Sequence, residues 1–402
     1  MAGIFSEVPN VLVPIGLVCL EWLCSVNRDW KRKIEARISS FLLFFVPLAV
    51  CCAQDPCLIL GSPFLTNNQF QFSLTGESGV SYVIESSRDL ENWAPVATNS
   101  DSSISREIAV DAPNSAGFYR ASRGPLPMFI AAIAAKQKVD LAGNGILTDS
   151  YDSSVSAYGL YSVTNRMAGG DVACEAGITN VTDVSIYGHV RTGPNANFSL
   201  GSNGRVGDLN WVGPGIEPGW WNYDFRFCFP EVKPPYTSGL ALTFGSGTNN
   251  YILGSGQYYQ SGNFLLKNNE SMYVSGNANL YVTGNLSMSG TASIVIAPGA
   301  SLKLFIGNSS GPAVSASLGL VNTSGNASTF QFYGLPTLTT LAWGGNAAYL
   351  GIVYAPEGSF TIGGRGSGTN DFQGGITVQA ISMNGHFNVH FDENLKRSGP
   401  TR

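Results

Sequence analysis

Charge is scarce in this 402-residue chain: 22 Lys/Arg and 27 Asp/Glu make up 12% of it, with a net balance of −5. No basic stripe exists, which excludes nucleic acid as a partner, because neutralising phosphates takes clustered Lys and Arg. From Pro235 to Ala355 only Lys267, Glu270 and Lys303 are charged. From Pro235 to Gly368 the only acids are Glu270 and Glu357, so that stretch lacks the paired carboxylates of a glycosidase. Helical periodicity is missing there as well. The apolar run Phe41 to Val50 is too short to span a bilayer comfortably.

That run has a different reading. Arg28, Lys31, Arg32, Lys33 and Arg37 precede it, and Cys51-Cys52-Ala53 before Gln54 offers a small-residue cleavage site. Together they form a secretory signal peptide over residues 26–53. Acylation of Cys51 is the alternative, although the bulky Val50 before it fits less well. Residues 1–25 carry another apolar stretch, read as an upstream mis-start or an extra membrane segment, and are excluded from fold reasoning. Processing leaves Cys57, Cys174 and Cys228 of the seven cysteines. An odd number in an oxidising compartment allows one disulfide and one free thiol. Cys174–Cys228 is the pair to test, with buried unpaired cysteines as the alternative.

What is present is short alternation. Phe264/Leu266, Met272/Val274, Leu280/Val282, Leu286/Met288, Ile294/Ile296 and Leu302/Leu304 each sit two apart, so each pair faces one side of a strand. Asn268-Asn269, Gly276-Asn277, Gly284-Asn285, Gly290 and Pro298-Gly299 supply turns between them. Strands this short cannot bury a face alone; stacked three to a rung they can. The pattern predicts an all-β chain whose larger domain, 128–395, is a right-handed parallel β-helix, or β-solenoid. Residues 63–123 alternate with turn signals about every ten residues, which predicts a small β-sandwich. Residues 124–127 are a Pro-rich linker and 396–402 a tail.

Two resemblances add to this. Gly79-Val80-Ser81-Tyr82-Val83-Ile84-Glu85-Ser86-Ser87, Asp89-Leu90-Glu91-Asn92-Trp93 and Phe118-Tyr119-Arg120-Ala121 resemble the fibronectin-III-like repeat of exported bacterial proteins. That repeat implies a spacer or carbohydrate-facing module. Asp149-Ser150-Tyr151-Asp152-Ser153, Gly169-Gly170-Asp171-Val172-Ala173, Ile186-Tyr187-Gly188-His189-Val190, Phe229-Pro230-Glu231-Val232, Gly344-Gly345-Asn346-Ala347, Tyr354-Ala355-Pro356 and the run Met383 to Glu393 carry the second. Over about 130–395 they resemble an uncharacterised β-solenoid domain of bacterial exported proteins, related to the C-terminal part of PilX-type pilus-assembly proteins. The resemblance implies a cell-envelope or surface protein and no activity. Such relatives run on past the final strand, so a frayed end is expected at Arg402.

Candidate sites are few. If the terminal strand is extended, His386, Asn388, His390 and Asp392 share one face and Phe387, Val389 and Phe391 face the core. Two imidazoles and a carboxylate could hold a divalent cation. However, i and i+4 on a strand lie roughly 13 Å apart, so the competing reading is a solvated polar face. Asp149 and Asp152, flanked by hydroxyls, could bind calcium at a rung edge or cap turns. Trp93 is either a sugar-stacking platform or a core anchor of the sandwich. Trp220 and Trp221, with Tyr223, Phe225, Phe227 and Phe229, either cover the core or form a ligand patch. Gly307-Asn308-Ser309-Ser310-Gly311 with Asp371 and His386 fits a hydrolase in residue order, but its strand–turn–helix elbow is excluded by the lack of helical pattern.

The sequence therefore predicts a non-catalytic, exported structural or adhesive protein with no cofactor, calcium being the one ion weighed. Its place is the cell surface or the extracellular space, with the periplasm as alternative. Expected partners are pilin, other envelope proteins or surface glycans. Contact with a membrane comes only through the export signal or an unprocessed N-terminus. The alternative function is carbohydrate binding or carbohydrate chemistry.

Overall fold

The computed structural model describes residues 17–18, 59–66, 69–75, 82–88, 92–99, 105–111 and 118–122, and residues 127–401 apart from gaps at 144, 156–158, 246, 248, 308–318, 345–347, 364–369 and 385–386. The expected signal at 26–53, with Cys51 and Cys57, lies outside the described residues. So do His386, Ser309 and the linker residues 124–126. Among the described residues no helix is long and apolar enough to cross a membrane. The chain divides into one unit of residues 1–124 with 226–228, and another of residues 125–225 with 229–402.

In the first unit every described strand but one pairs antiparallel. Ile59–Thr66, Gln69–Thr75 and Ser105–Asp111 form one sheet. Ala94–Asn99, Tyr82–Ser87 and Phe118–Ser122 form the other. Leu17–Val18 adds an edge to it, parallel to Phe118–Tyr119, from a segment the sequence excludes from fold reasoning. Phe72, Leu74, Tyr82, Ile84, Ile108, Tyr119 and Ala121 are buried. Phe72 of the first sheet meets Tyr119 of the second, ring centroids 6.0 Å apart. Alternate residues face out, so Glu85 and Arg120 pair at 2.8 Å on the opposite side. Trp93 belongs there too. It is half-buried, and the Arg120 guanidinium lies 4.2 Å from its ring centroid. The expected core anchor is instead half-buried on the outer face, packed on Arg120 from Phe118–Ser122, the strand on the far side of Tyr82–Ser87.

The second unit is all-β and dominated by parallel pairing. Each predicted apolar doublet is buried within a strand. The strands recur: Tyr251–Leu253, Gly256–Gln260 and Phe264–Leu266 pair in parallel with Ser271–Val274, Asn277–Val282 and Leu286–Met288. Polar side chains repeat the spacing at the turns. Asn277 N–H donates to Ser255 Oγ and Asn285 N–H to Asn263 Oδ1, each across 22 residues. Ser301 Oγ donates to Asn277 Oδ1 across 24. Two-residue alternation turns Asn, Ser and Thr outward and aliphatic groups into one continuous core.

Strand order departs from chain order at one place. Ile133–Leu141, the first strand of this unit, pairs in parallel with Asn370–Met383 on one side and with Val172–Cys174 on the other. Ile146–Tyr151 likewise lies between Phe387–Asp392 and Val184–Tyr187. The beginning of the domain is thus enclosed between its end and its second set of strands. The chain must then cross back from Trp221–Asn222 to Tyr251, and the aromatic excursion does this. Phe225 N–H bonds Thr192 O, the Lys136 ammonium lies 5.6 Å from the Phe229 ring, and Tyr354 Oη donates to Pro230 O. Tyr236 Oη reaches Tyr258 O and Asn279 O. Phe225, Phe227 and Phe229 are buried, whereas Trp221 and Tyr223 are exposed.

The end of the chain is tied down. Leu395–Ser398 is a short helix with Leu395 in the core. Met128 N–H bonds Pro400 O, and Pro127 bridges Thr401. Pro400 and Thr401 thus pair with the entry to the domain, and the fraying expected at Arg402 lies outside the described residues.

Candidate functional site

Parallel register decides which polar residues meet. His390 stands opposite Asp149 on one neighbouring strand and Gln373 on the other. Because paired residues in a parallel ladder point to the same face, the imidazole and carboxylate lie side by side. His390 Nδ1 is 2.5 Å from Asp149 Oδ1, and both side chains are buried. The second carboxylate oxygen accepts from Tyr161 Oη at 2.8 Å. The Tyr161 ring stacks on the imidazole, centroids 3.4 Å apart and 17° from parallel. On the far side of His390, Asp371 Oδ1 lies 3.3 Å from Nε2, a charge contact not aligned as a hydrogen bond. Arg166 Nε, 4.0 Å from Asp149 Oδ2, completes the set.

This arrangement corrects two expectations. The outer face of the terminal strand is not solvated at His390, because Tyr161 lies over it. Gly170 permits the approach: a Cβ there would collide with the Asp149 backbone. Ser150 Oγ donates to Glu393 and accepts from Gly169 N–H, fastening the same segment. Of the described metal candidates only His390 and Asp149 meet. Asp392 is buried away from His390 and accepts from Ser153 and Asn394. Asp152 accepts from Ser154 and pairs with Arg397 at 2.5 Å, so it caps a turn. Among the described residues no group of three or more His, Cys, Asp or Glu could hold a metal ion.

Electrostatics favour a charged imidazole. Burial by itself would lower the His390 pKa, but the hydrogen bond with Asp149 and the neighbouring carboxyl groups of Asp149 and Asp371 outweigh it and the net shift is upward. Burial raises the Tyr161 hydroxyl pKa, helped by the Asp149 charge. Burial also raises Asp392, against the hydrogen bonds it accepts. The cluster sets an imidazole between two carboxyl groups under an aromatic cover. It has the elements of acid–base chemistry, yet the imidazole is closed off from solvent and a general base must reach its substrate. The cavity found in this unit is lined by Leu286, Met288, Ile294, Leu304, Phe332 and Trp343, all apolar and none in the cluster.

A second polar group was not anticipated. Asp171, nearly buried, accepts from His189 N–H at 2.8 Å and pairs with Arg191 Nη2 at 3.0 Å. Trp220 stacks on His189 with centroids 4.4 Å apart. The alternation His189-Val190-Arg191 was the available signal: two basic groups on one face of a strand. Trp221 donates its indole N–H to Thr192 Oγ1 and stands edge-on to Phe198. The expected disulfide does not form. Cys174 is a free thiol turned into the core, its Sγ accepting from Gly177 N–H, while Cys228 is disulfide-bonded. Inward orientation of Cys174 on a buried strand removes it from reach.

Residues 240–398 match a family described as a domain of unknown function (DUF7305). No curated protein and no solved structure matches the chain.

Proposed function

We propose that this protein is a non-catalytic structural or adhesive element of the bacterial cell envelope, exported by its N-terminal signal and associated with pili or other envelope proteins. In this reading the second unit is a right-handed parallel β-solenoid and the first a fibronectin-III-like spacer. One observation carries it. Successive parallel strands repeat every 21 to 24 residues with Asn, Ser and Thr bonded from one repeat to the next, which suits a stiff surface maintained by shape and hydrogen bonding. The buried Asp149–His390–Tyr161 cluster then serves to fasten residues 159–170 over the point where the domain's first and last strands pair.

Protease shaving of intact cells, with mass spectrometry of released peptides, tests this reading. Release of peptides from residues 128–395 before lysis, with a mature terminus at Gln54, supports it. Protection until the outer layer is broken refutes the surface role. Carbohydrate binding is the second reading, favoured by exposed Trp221 and Tyr223 beside Trp220, since aromatic faces stack on sugars. A glycan-binding screen with and without EDTA separates the two, and turnover or metal-dependent binding would displace the scaffold reading.

A further inference from the structure

Buried polar atoms are almost always hydrogen-bonded, and those left without a partner mark places where something further binds. Two of them sit in the polar cluster, His390 Nε2 and Gln373 Oε1. His390 and Gln373 are register partners in a parallel pair, so their side chains leave the sheet on one face, from strands about 4.8 Å apart. Asp371, two residues before Gln373, lies on the same face. Its Oδ1 is 3.3 Å from His390 Nε2.

That contact has the geometry of two ligands on one ion. A hydrogen bond would hold the Asp371 oxygen on the axis of the ring nitrogen, and it stands off that axis. Two donors each about 2.1 Å from a metal, at about 90–110° to one another, are about 3.0–3.4 Å apart. Each then lies to one side of the other's lone pair. The far side of the ring is also arranged as in a metal-binding histidine. Nδ1 is bonded to Asp149, and the second Asp149 oxygen accepts from Tyr161, the kind of carboxylate contact that fixes ring orientation and tautomer at a metal. Asn388 Nδ2 donates to the same Asp371 oxygen at 3.4 Å and steadies that carboxylate.

We propose that His390 Nε2, Asp371 Oδ1 and Gln373 Oε1 bind one zinc ion, with water completing its shell on the side where Asp371 is 39% exposed. An imidazole donor selects a transition ion such as zinc over calcium or magnesium. Only two of the three donors are His or Asp and the third is an amide oxygen, so no cluster of three such residues is needed. The ion takes the place of the Nε2 proton, and the charged imidazole described above is the metal-free form. Bound there, it joins Asn370–Met383 to Phe387–Asp392 and, through Asp149, to Ile146–Tyr151. It is a staple where the first and last strands of the domain meet.

Calorimetric titration of ZnCl2 into the untagged full-length chain, stripped beforehand with EDTA, tests this, with native mass spectrometry counting the ions. One zinc per chain is expected, with a Kd of about 10 µM or tighter. Zinc should also raise the Tm, because the site exists only in the folded chain. Asp371→Asn keeps the shape of a half-exposed side chain and removes its charge. It is expected to weaken binding by about tenfold or more and to abolish the Tm shift, as is Gln373→Leu. His189→Ala alters the other described His–Asp pair and is expected to leave both unchanged. Circular dichroism confirms that each variant is folded. A wild type that takes up no ion at about 100 µM zinc overturns the proposal. So does an ion held at full affinity by Asp371→Asn, or one lost only with His189→Ala.

Discussion

Replacing His390 with alanine tests whether the buried cluster holds residues 159–170 in place. The substitution removes the imidazole between Asp149 and Asp371 and the ring on which Tyr161 stacks. Asp149 is left buried with the Tyr161 hydrogen bond and a distant Arg166. Breaking one side of a buried ion pair costs about 3–5 kcal/mol, and losing the stack adds about 0.5–1.5 kcal/mol; relaxation of the loop returns part of this, so about 4 kcal/mol is expected. With a urea slope of about 3 kcal/mol/M for a unit of this size, the midpoint followed by tryptophan fluorescence should fall by about 1.3 M. The pH dependence gives a second readout. Because the folded pKa of His390 lies above its unfolded value near 6.5, its stabilisation is fully present below about pH 6.5 and is lost as pH rises through the folded pKa. The gap between wild type and His390→Ala should therefore narrow toward alkaline pH. A midpoint shift below about 0.3 M, or a gap that widens with pH, would refute the reasoning.

Three further outcomes are expected. Gly170→Ala forces a Cβ into the Asp149 backbone and should cost about 1–3 kcal/mol, read as faster proteolysis within residues 152–170. Arg397→Ala breaks an ion pair whose arginine is half exposed; such pairs contribute under about 1 kcal/mol, so thermal unfolding should barely move. Cys174 is buried and its thiol pKa raised by that burial, so peptide mapping after maleimide treatment should find it unlabelled in the native protein and labelled in urea.

The apolar doublets from Phe264 to Leu304 were legible because a two-residue period and turn residues act locally. Each residue needs only its neighbours in sequence to be assigned a face. The terminal strand shows where this stops. Phe387, Val389 and Phe391 face the core as the alternation requires, but on the polar side His390 acquires a cover from Tyr161, more than 200 positions earlier. His390 and Asp149 are 241 residues apart, and no local pattern announces their pairing. Trp93 failed for a related reason: an aromatic residue signals burial, yet a guanidinium from a neighbouring strand supplies that burial on an outer face. The aromatic excursion was readable as a cover in part, since Trp220 and Tyr236 pack against the core, but not as a crossing between two distant sets of strands.

The enclosure of Ile133–Leu141 and Ile146–Tyr151 between strands from opposite parts of the domain sets an order of events during folding. Loop closure over some 240 residues is slow, and contacts of such high sequence separation form late. The strands from Tyr251 to Gly363 can pair among themselves as they emerge, whereas the first strands must wait for Asn370–Asp392. Until then the sides of both sets that will face each other are bare. A chain interrupted before residue 370 would retain most of its repeats and still leave its opening strands without one of their two neighbours, so synthesis of residues 370–392 is itself the signal that lets the domain lock.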